Sequence, residues 1–250
     1  MFGSMLKIKY DHASIKTKRK AVRESLWRES KNIKSGTMDC ISPLDLHILY
    51  EHYDKIFFKS WFRDNFKGQI LYELSPRMTK SAGKTKCPKN IGQMQPDEVK
   101  VIIAIGVDFF FKYNQLVGSK NVCGLETHNG LEALQIVFEH ELIHVLEFLL
   151  FHTSSCNKQR FKETAKNIFG HSQSHHHIPT NLTLAREKYG INIGDKVQFV
   201  FKDKPLTGLL VNVTKRATVM VENLAGEYVD KNGTKYEKYY VPLERLAKAR

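Results

Sequence analysis

Between Leu131 and His152 the chain runs without a proline or a glycine, and inside that run lies His140-Glu141-Leu142-Ile143-His144. Leu131, Leu134, Ile136, Val137, Leu142, Val145, Leu146, Leu149 and Leu150 predict one long, largely buried helix. Residues four apart on a helix lie one above the other, so His140 and His144 project together. Two imidazoles at that spacing can grip one Zn²⁺, and Glu141 lies beside them to take a proton from water. Five-residue patterns of this kind also occur by chance, and the alternative is a pair of core histidines. Against it stands cost: two histidines with Glu139, Glu141 and Glu147 are expensive inside so apolar a helix unless paired or metal-bound.

Size and charge narrow the classes open to such a helix. A chain of 250 residues holds one large domain, or a core with a small appendage. No apolar run of about 18 residues is free of charge, so no transmembrane helix is expected. Met1 to Met5 lacks a signal-peptide pattern, so the expected location is intracellular, nuclear or nucleoid-associated rather than secreted. Cys40, Cys87, Cys123 and Cys156 are far apart and form no CxxC pair, which argues against a zinc finger or a disulfide framework. The net charge of +13 points to a polyanionic partner, DNA first.

Residues 1–40 read as a basic arm, or equally as a solvated helix face, through Lys16, Lys18, Arg19, Lys20, Arg23, Arg28, Lys31 and Lys34. Ser42-Pro43 opens a helix with Leu46, Leu49, Tyr50, Tyr53, Ile56 and Phe57 on one face. Gln69 to Leu74 alternates as a strand, Thr79 to Cys87 is expected to pair with it, and Val99 to Ile105 reads as a buried strand. Val107 to Val117 reads as a short helix. Ser81-Ala82-Gly83-Lys84-Thr85 looks like the end of a phosphate loop, but Met78 stands where the earlier glycine is required. Phe161 to Phe169 has helical spacing with Gly170 placed to end it. Beyond Gly190 come short strands at 196–201, 206–214, 218–222 and 238–241, with Asn232-Gly233 as a hairpin turn. They suggest a small barrel of SH3 type.

Four segments in order resemble the SprT-like family of zinc metalloproteases, which act on proteins attached to DNA. They are Leu49-Tyr50-Glu51-His52-Tyr53-Asp54-Lys55-Ile56-Phe57-Phe58, then Arg77 to Thr85 with its Ala-Gly pair, then Phe138 to His144, then Phe161 with Phe169-Gly170-His171-Ser172. The resemblance covers about Leu46 to His177 and implies an α+β fold. It implies a zincin-like core at 41–180, flanked by the arm at 1–40 and an SH3-like barrel at 190–250. It also implies a zinc-dependent endopeptidase, with His140 and His144 on Zn²⁺ and Glu141 as general base.

The family's third ligand is a histidine in a His-Gly-x-x-Phe element, and counting back from Phe161 gives Asn157 and Lys158 instead. Cys156, one residue earlier, is a good ligand as thiolate. Glu163 and His171 follow it as candidates, and Glu147 shares the zinc face of the helix. His171 or the cluster His175-His176-His177 could help hold an oxyanion. Two other functions compete: a DNA-binding scaffold whose protease site has decayed, and an aminopeptidase-like enzyme using Glu163. The ends carry most of the charge, +6 on residues 1–40 (10 − 4) and +4 on residues 191–250 (11 − 7). Sequence-nonspecific DNA binding through arm and barrel is therefore expected.

Overall fold

The computed structural model describes residues 2–76, 78, 81–113, 120–174 and 181–249. They form two units, one ending at residue 174 and one beginning at residue 181. The fold class is α+β in the first unit, with a separate antiparallel sheet in the second.

In the first unit α1 (His12–Glu29) starts at Asp11, whose Oδ1 accepts from Ser14 N at 2.8 Å. It buries Ile15, Val22 and Leu26 and packs on α2 (Pro43–Phe57). The expected basic arm is therefore corrected over residues 12–29. An apolar stripe of three buried residues supplies the burial that holds this helix to the core. Two of its cations are consumed internally, because Arg19 pairs with Glu139 and Arg23 with Glu132. Lys16, Lys20, Arg28, Lys31 and Lys34 remain exposed.

Pro43 opens α2 after Ser42, whose N donates to Asp45 Oδ2 at 2.7 Å, and Leu46, Leu49, Tyr53 and Phe57 face inward. After α3 (Trp61–Asn65) come β1 (Gln69–Ser75), β2 (Gly83–Lys86) and β3 (Lys100–Gly106). The order is β1-β3-β2, with β1 parallel and β2 antiparallel to β3. The expected pairing of the Thr79–Cys87 segment with β1 is thus wrong. The β-branched run Val101, Ile103 and Ile105 is buried and takes the central position between them. This leaves β2 as an edge strand.

Helix α4 (Val107–Phe111) is shorter than the expected Val107–Val117, whose end lies outside the described residues. A two-residue hairpin follows, β4 (Asn121–Val122) and β5 (Leu125–Glu126), turning on Cys123 and Gly124 at φ 50° and 77°. The long helix α5 (Gly130–Phe151) begins where Asn129 Oδ1 accepts from Glu132 N and ends with His152 at φ 57°. It is buried along most of its length. Its Phe138 joins Tyr53, Phe57 and Phe169 in one aromatic core. Helix α6 (Gln159–Phe169) ends at Gly170, φ 72°, as the sequence predicts.

The second unit opens with α7 (Asn181–Tyr189), which hydrophobic spacing alone did not announce. It continues with β6 (Lys196–Phe201), β7 (Lys204–Val213), β8 (Ala217–Glu222), β9 (Tyr228–Val229), β10 (Lys235–Val241) and β11 (Ala247–Lys248). These make one antiparallel sheet in the order β11-β6-β7-β8-β10-β9, with a bulge between Leu210 and Asn212. Val197, Phe199, Leu210, Ala217, Val219 and Val241 form its buried face. Gly233 turns the chain into β10 at φ 83°. Among the described residues no helix is long and apolar enough to cross a membrane.

Candidate metal centre

One helical turn separates His140 from His144, and their Nε2 atoms lie 3.1 Å apart. Two nitrogens bound tetrahedrally at about 2.0–2.1 Å to one ion sit roughly 3.3 Å from each other, so the spacing of this pair is compatible with a shared metal. Phe161 of α6 backs both rings, at centroid distances of 4.8 and 4.5 Å. The loop between α5 and α6 then brings in Cys156. Ligand atoms of His140, His144 and Cys156 all lie within 4.8 Å of one another, with His140 buried and the other two half-buried.

The hydrogen bonds around His144 fix its tautomer. Ser154 Oγ donates to Glu147 Oε2 at 2.6 Å, so it accepts from His144 Nδ1–H at 2.7 Å. His144 Nε2 is then the bare nitrogen, turned toward His140. Glu147 is anchored by Arg160 Nε at 2.7 Å. Burial pushes the His144 imidazolium down to about 4, against the pull of Glu147, so the ring is neutral and ready to ligate at physiological pH. Burial raises the Cys156 thiol, and a bound metal is what would hold it as thiolate.

Glu141 faces β2. Its Oε2 accepts from Thr85 Oγ1 at 2.7 Å, and burial pushes its carboxyl up to about 7, partly offset by that bond. Gly83 lies over it, where an added Cβ would come within 2.6 Å of Glu141 Oε1 and 2.8 Å of Val137 Cγ1. A pocket of about 370 Å³ joins these parts: Ser81, Gly83, Lys84 and Thr85 on one wall, His140, Glu141 and His144 on its floor, Ser154 and Cys156 opposite. The candidate ligands and the carboxyl therefore open onto space beside an edge strand.

On the inner side of α5 a second group converges. Glu139 is buried between Arg19, which donates from Nε and Nη2 at 2.7 Å, Tyr53 Oη at 2.8 Å and His171 Nε2 at 2.9 Å. Burial alone would raise the Glu139 carboxyl, but the guanidinium and the histidine bond overcome it and hold it below its ordinary range. Cys123 Sγ lies 3.9 Å from His140 Nδ1.

Of the residues singled out in the sequence, His140, Glu141, His144 and Cys156 share the pocket. Glu163 does not: it is exposed on α6 and accepts from Gln159 Nε2. Asn157 is exposed in the loop. Glu147 orients Ser154 rather than joining the ligand set, and His171 belongs to the inner group. His175, His176 and His177 lie outside the described residues, as do Arg77, Thr79 and Lys80. Sequence reasoning missed Thr85, Ser154, Arg19 and Cys123, because their roles depend on contacts between distant segments. Compared with family models, curated proteins and solved structures, this chain matches none.

Proposed function

We propose that this chain is a zinc-dependent endopeptidase acting on proteins associated with DNA. The observation that carries the reading is the convergence of His140, His144 and Cys156 beside a raised carboxyl in an open pocket. Two imidazoles and a thiolate suit a borderline ion such as zinc, and three protein ligands leave a fourth position for chemistry. When bound, zinc supplies a Lewis acid that acidifies water and polarises a carbonyl.

The protein's own groups account for the proton movements. Glu141, poised at about 7, accepts the proton of an attacking water and returns it to the leaving amine. Thr85 Oγ1 holds the carboxyl in place, and Gly83 leaves the space that the carboxyl fills. Ser154 and Glu147 keep His144 in the ligating tautomer. Cys156, one residue before the place where the SprT-like pattern has histidine, supplies a third donor, which argues against the decayed scaffold. The exposure of Glu163 removes the basis of the aminopeptidase reading.

DNA association rests on charge. The excess of +13 includes exposed Lys16, Lys20, Arg28, Lys31 and Lys34 in the N-terminal segment, and we read the C-terminal sheet as an SH3-like barrel that adds to the basic surface. The test is cleavage of casein or histone by zinc-loaded protein, with and without duplex DNA and chelator. Cleavage that requires zinc, vanishes in Glu141→Gln and is stimulated by DNA at low salt supports the reading. Cleavage that ignores chelator refutes the metal mechanism, and absent DNA binding near physiological salt refutes the tether.

A further inference from the structure

His140 presents different neighbours on its two ring nitrogens. Nε2 lies 3.1 Å from His144 Nε2, on the pocket side. Nδ1 lies 3.9 Å from Cys123 Sγ, on the buried side. There Cys123, His140 and His171, all buried, bring ligand atoms within 4.8 Å of one another. We propose that Cys123, His140 Nδ1 and His171 form a second, inner binding position for a thiophilic ion of the zinc class, with His140 as the bridge.

Three observations carry this. First, His171 is oriented as metal-binding histidines are: one ring nitrogen, Nε2, is committed to a carboxylate, Glu139 Oε2, at 2.9 Å. Second, the remaining nitrogen, Nδ1, is buried and has no hydrogen-bond partner among the described residues. A buried imidazole nitrogen without a partner costs stability, and a metal would satisfy it. Third, the backbone clamps Cys123 against His171: Ser172 N and Gln173 N both donate to Cys123 O at 3.1 Å. Cys123 also sits at φ 50°, in a turn position that Asn or Gly fills more easily.

The charges close. A divalent ion entering the inner position displaces the Cys123 thiol proton and, when His140 also serves the outer ion, the His140 ring proton. Thiolate and imidazolate then neutralise the two positive charges, while Arg19 already neutralises Glu139. Tetrahedral bonds of about 2.3 Å to sulfur and 2.0–2.1 Å to nitrogen put S···N near 3.6 Å, so the observed 3.9 Å needs only slight closure. Such an ion would tie the Cys123 turn and the segment after α6 to α5 and fix the plane of the His140 ring. The inner position does not require the outer one, because with the pocket side empty the His140 proton can move to Nε2.

The experiment is substitution of the full-length protein with Co²⁺, reading the thiolate-to-cobalt absorbance, together with zinc equivalents after dialysis. Wild type is expected to bind two equivalents at thiolate sites. Cys123→Ser and Cys156→Ser should each lose one equivalent and about half of the thiolate absorbance, and the double variant all of it. His171→Gln should lose the same half as Cys123→Ser while leaving Cys156 ligation intact, with circular dichroism confirming the fold. Full loss in Cys123→Ser with none in Cys156→Ser would keep the inner site and sink the outer one. A single equivalent in wild type, lost with Cys156→Ser and untouched by Cys123→Ser, overturns the inner site and leaves the proposed enzyme standing. If Cys123→Ser fails to fold, His171→Gln decides: loss of one equivalent keeps the inner site, and no loss overturns it.

Discussion

Glu141→Gln should stabilise the metal-free protein at alkaline pH relative to acid pH. The Glu141 carboxyl is raised from an ordinary 4.5 to about 7 by burial, so between those values the folded state keeps a proton that the unfolded chain has released. Wild-type stability therefore falls as pH rises through that window and levels off above about 7. At about 1.4 kcal/mol for each pH unit between the two values, ionised Glu141 costs roughly 3 kcal/mol at pH 8.5. Glutamine carries no such term. Any fixed penalty from its buried amide, about 1–3 kcal/mol, is the same at every pH and cancels in the comparison. The assay is urea unfolding of both proteins in chelator at pH 4 and pH 8.5, followed by tryptophan fluorescence. Trp27 and Trp61 are the only tryptophans and both lie in the first unit, so the signal reports the unit that holds the site. The stability difference between variant and wild type should move by about 3 kcal/mol in favour of glutamine between the two pH values. A difference that stays constant within 1 kcal/mol, or moves the other way, would refute the claim that burial raises this carboxyl.

Three further substitutions separate the supporting parts. Ser154→Ala removes the group between His144 Nδ1 and Glu147, and zinc affinity should drop about 10–100-fold in a competitive chelator titration. Gly83→Ala places a methyl against Glu141 Oε1 and Val137, so kcat should fall by at least tenfold while isothermal titration finds zinc still bound. Arg19→Met leaves Glu139 buried without its cation and should cost about 3–5 kcal/mol in urea unfolding.

The helix that carries the site was legible because its pattern is local: an unbroken apolar run and two histidines one turn apart. Cys156 was legible as chemistry, since its position one residue before the expected element and its thiol suggested a replacement ligand. What single-sequence reading could not supply was pairing across distance. Strand β3 enters between β1 and β2 because its buried β-branched run suits the centre of a sheet, yet nothing local in β1 or β2 announces the insertion. The N-terminal basic stretch read equally as an arm or a solvated helix face because it is rich in cations and has no long apolar run. Three residues at helical spacing, Ile15, Val22 and Leu26, were enough to seat it, and Arg19 found its partner 120 residues away. Cys123 gave no signal in the sequence. Only the turn that holds it against His140 and the segment after α6 gives it meaning.

The central claim is that one zinc ion is held by His140, His144 and Cys156 on the pocket side of α5. Zinc-edge X-ray absorption on Cys123→Ser protein, loaded with one equivalent so that the inner position is silent, tests it most directly. The account predicts a shell with one sulfur at about 2.3 Å and nitrogens at about 2.0–2.1 Å, and loss of the sulfur when Cys156→Ser is added. A shell of nitrogen and oxygen alone, or a sulfur that survives the loss of Cys156, would contradict it.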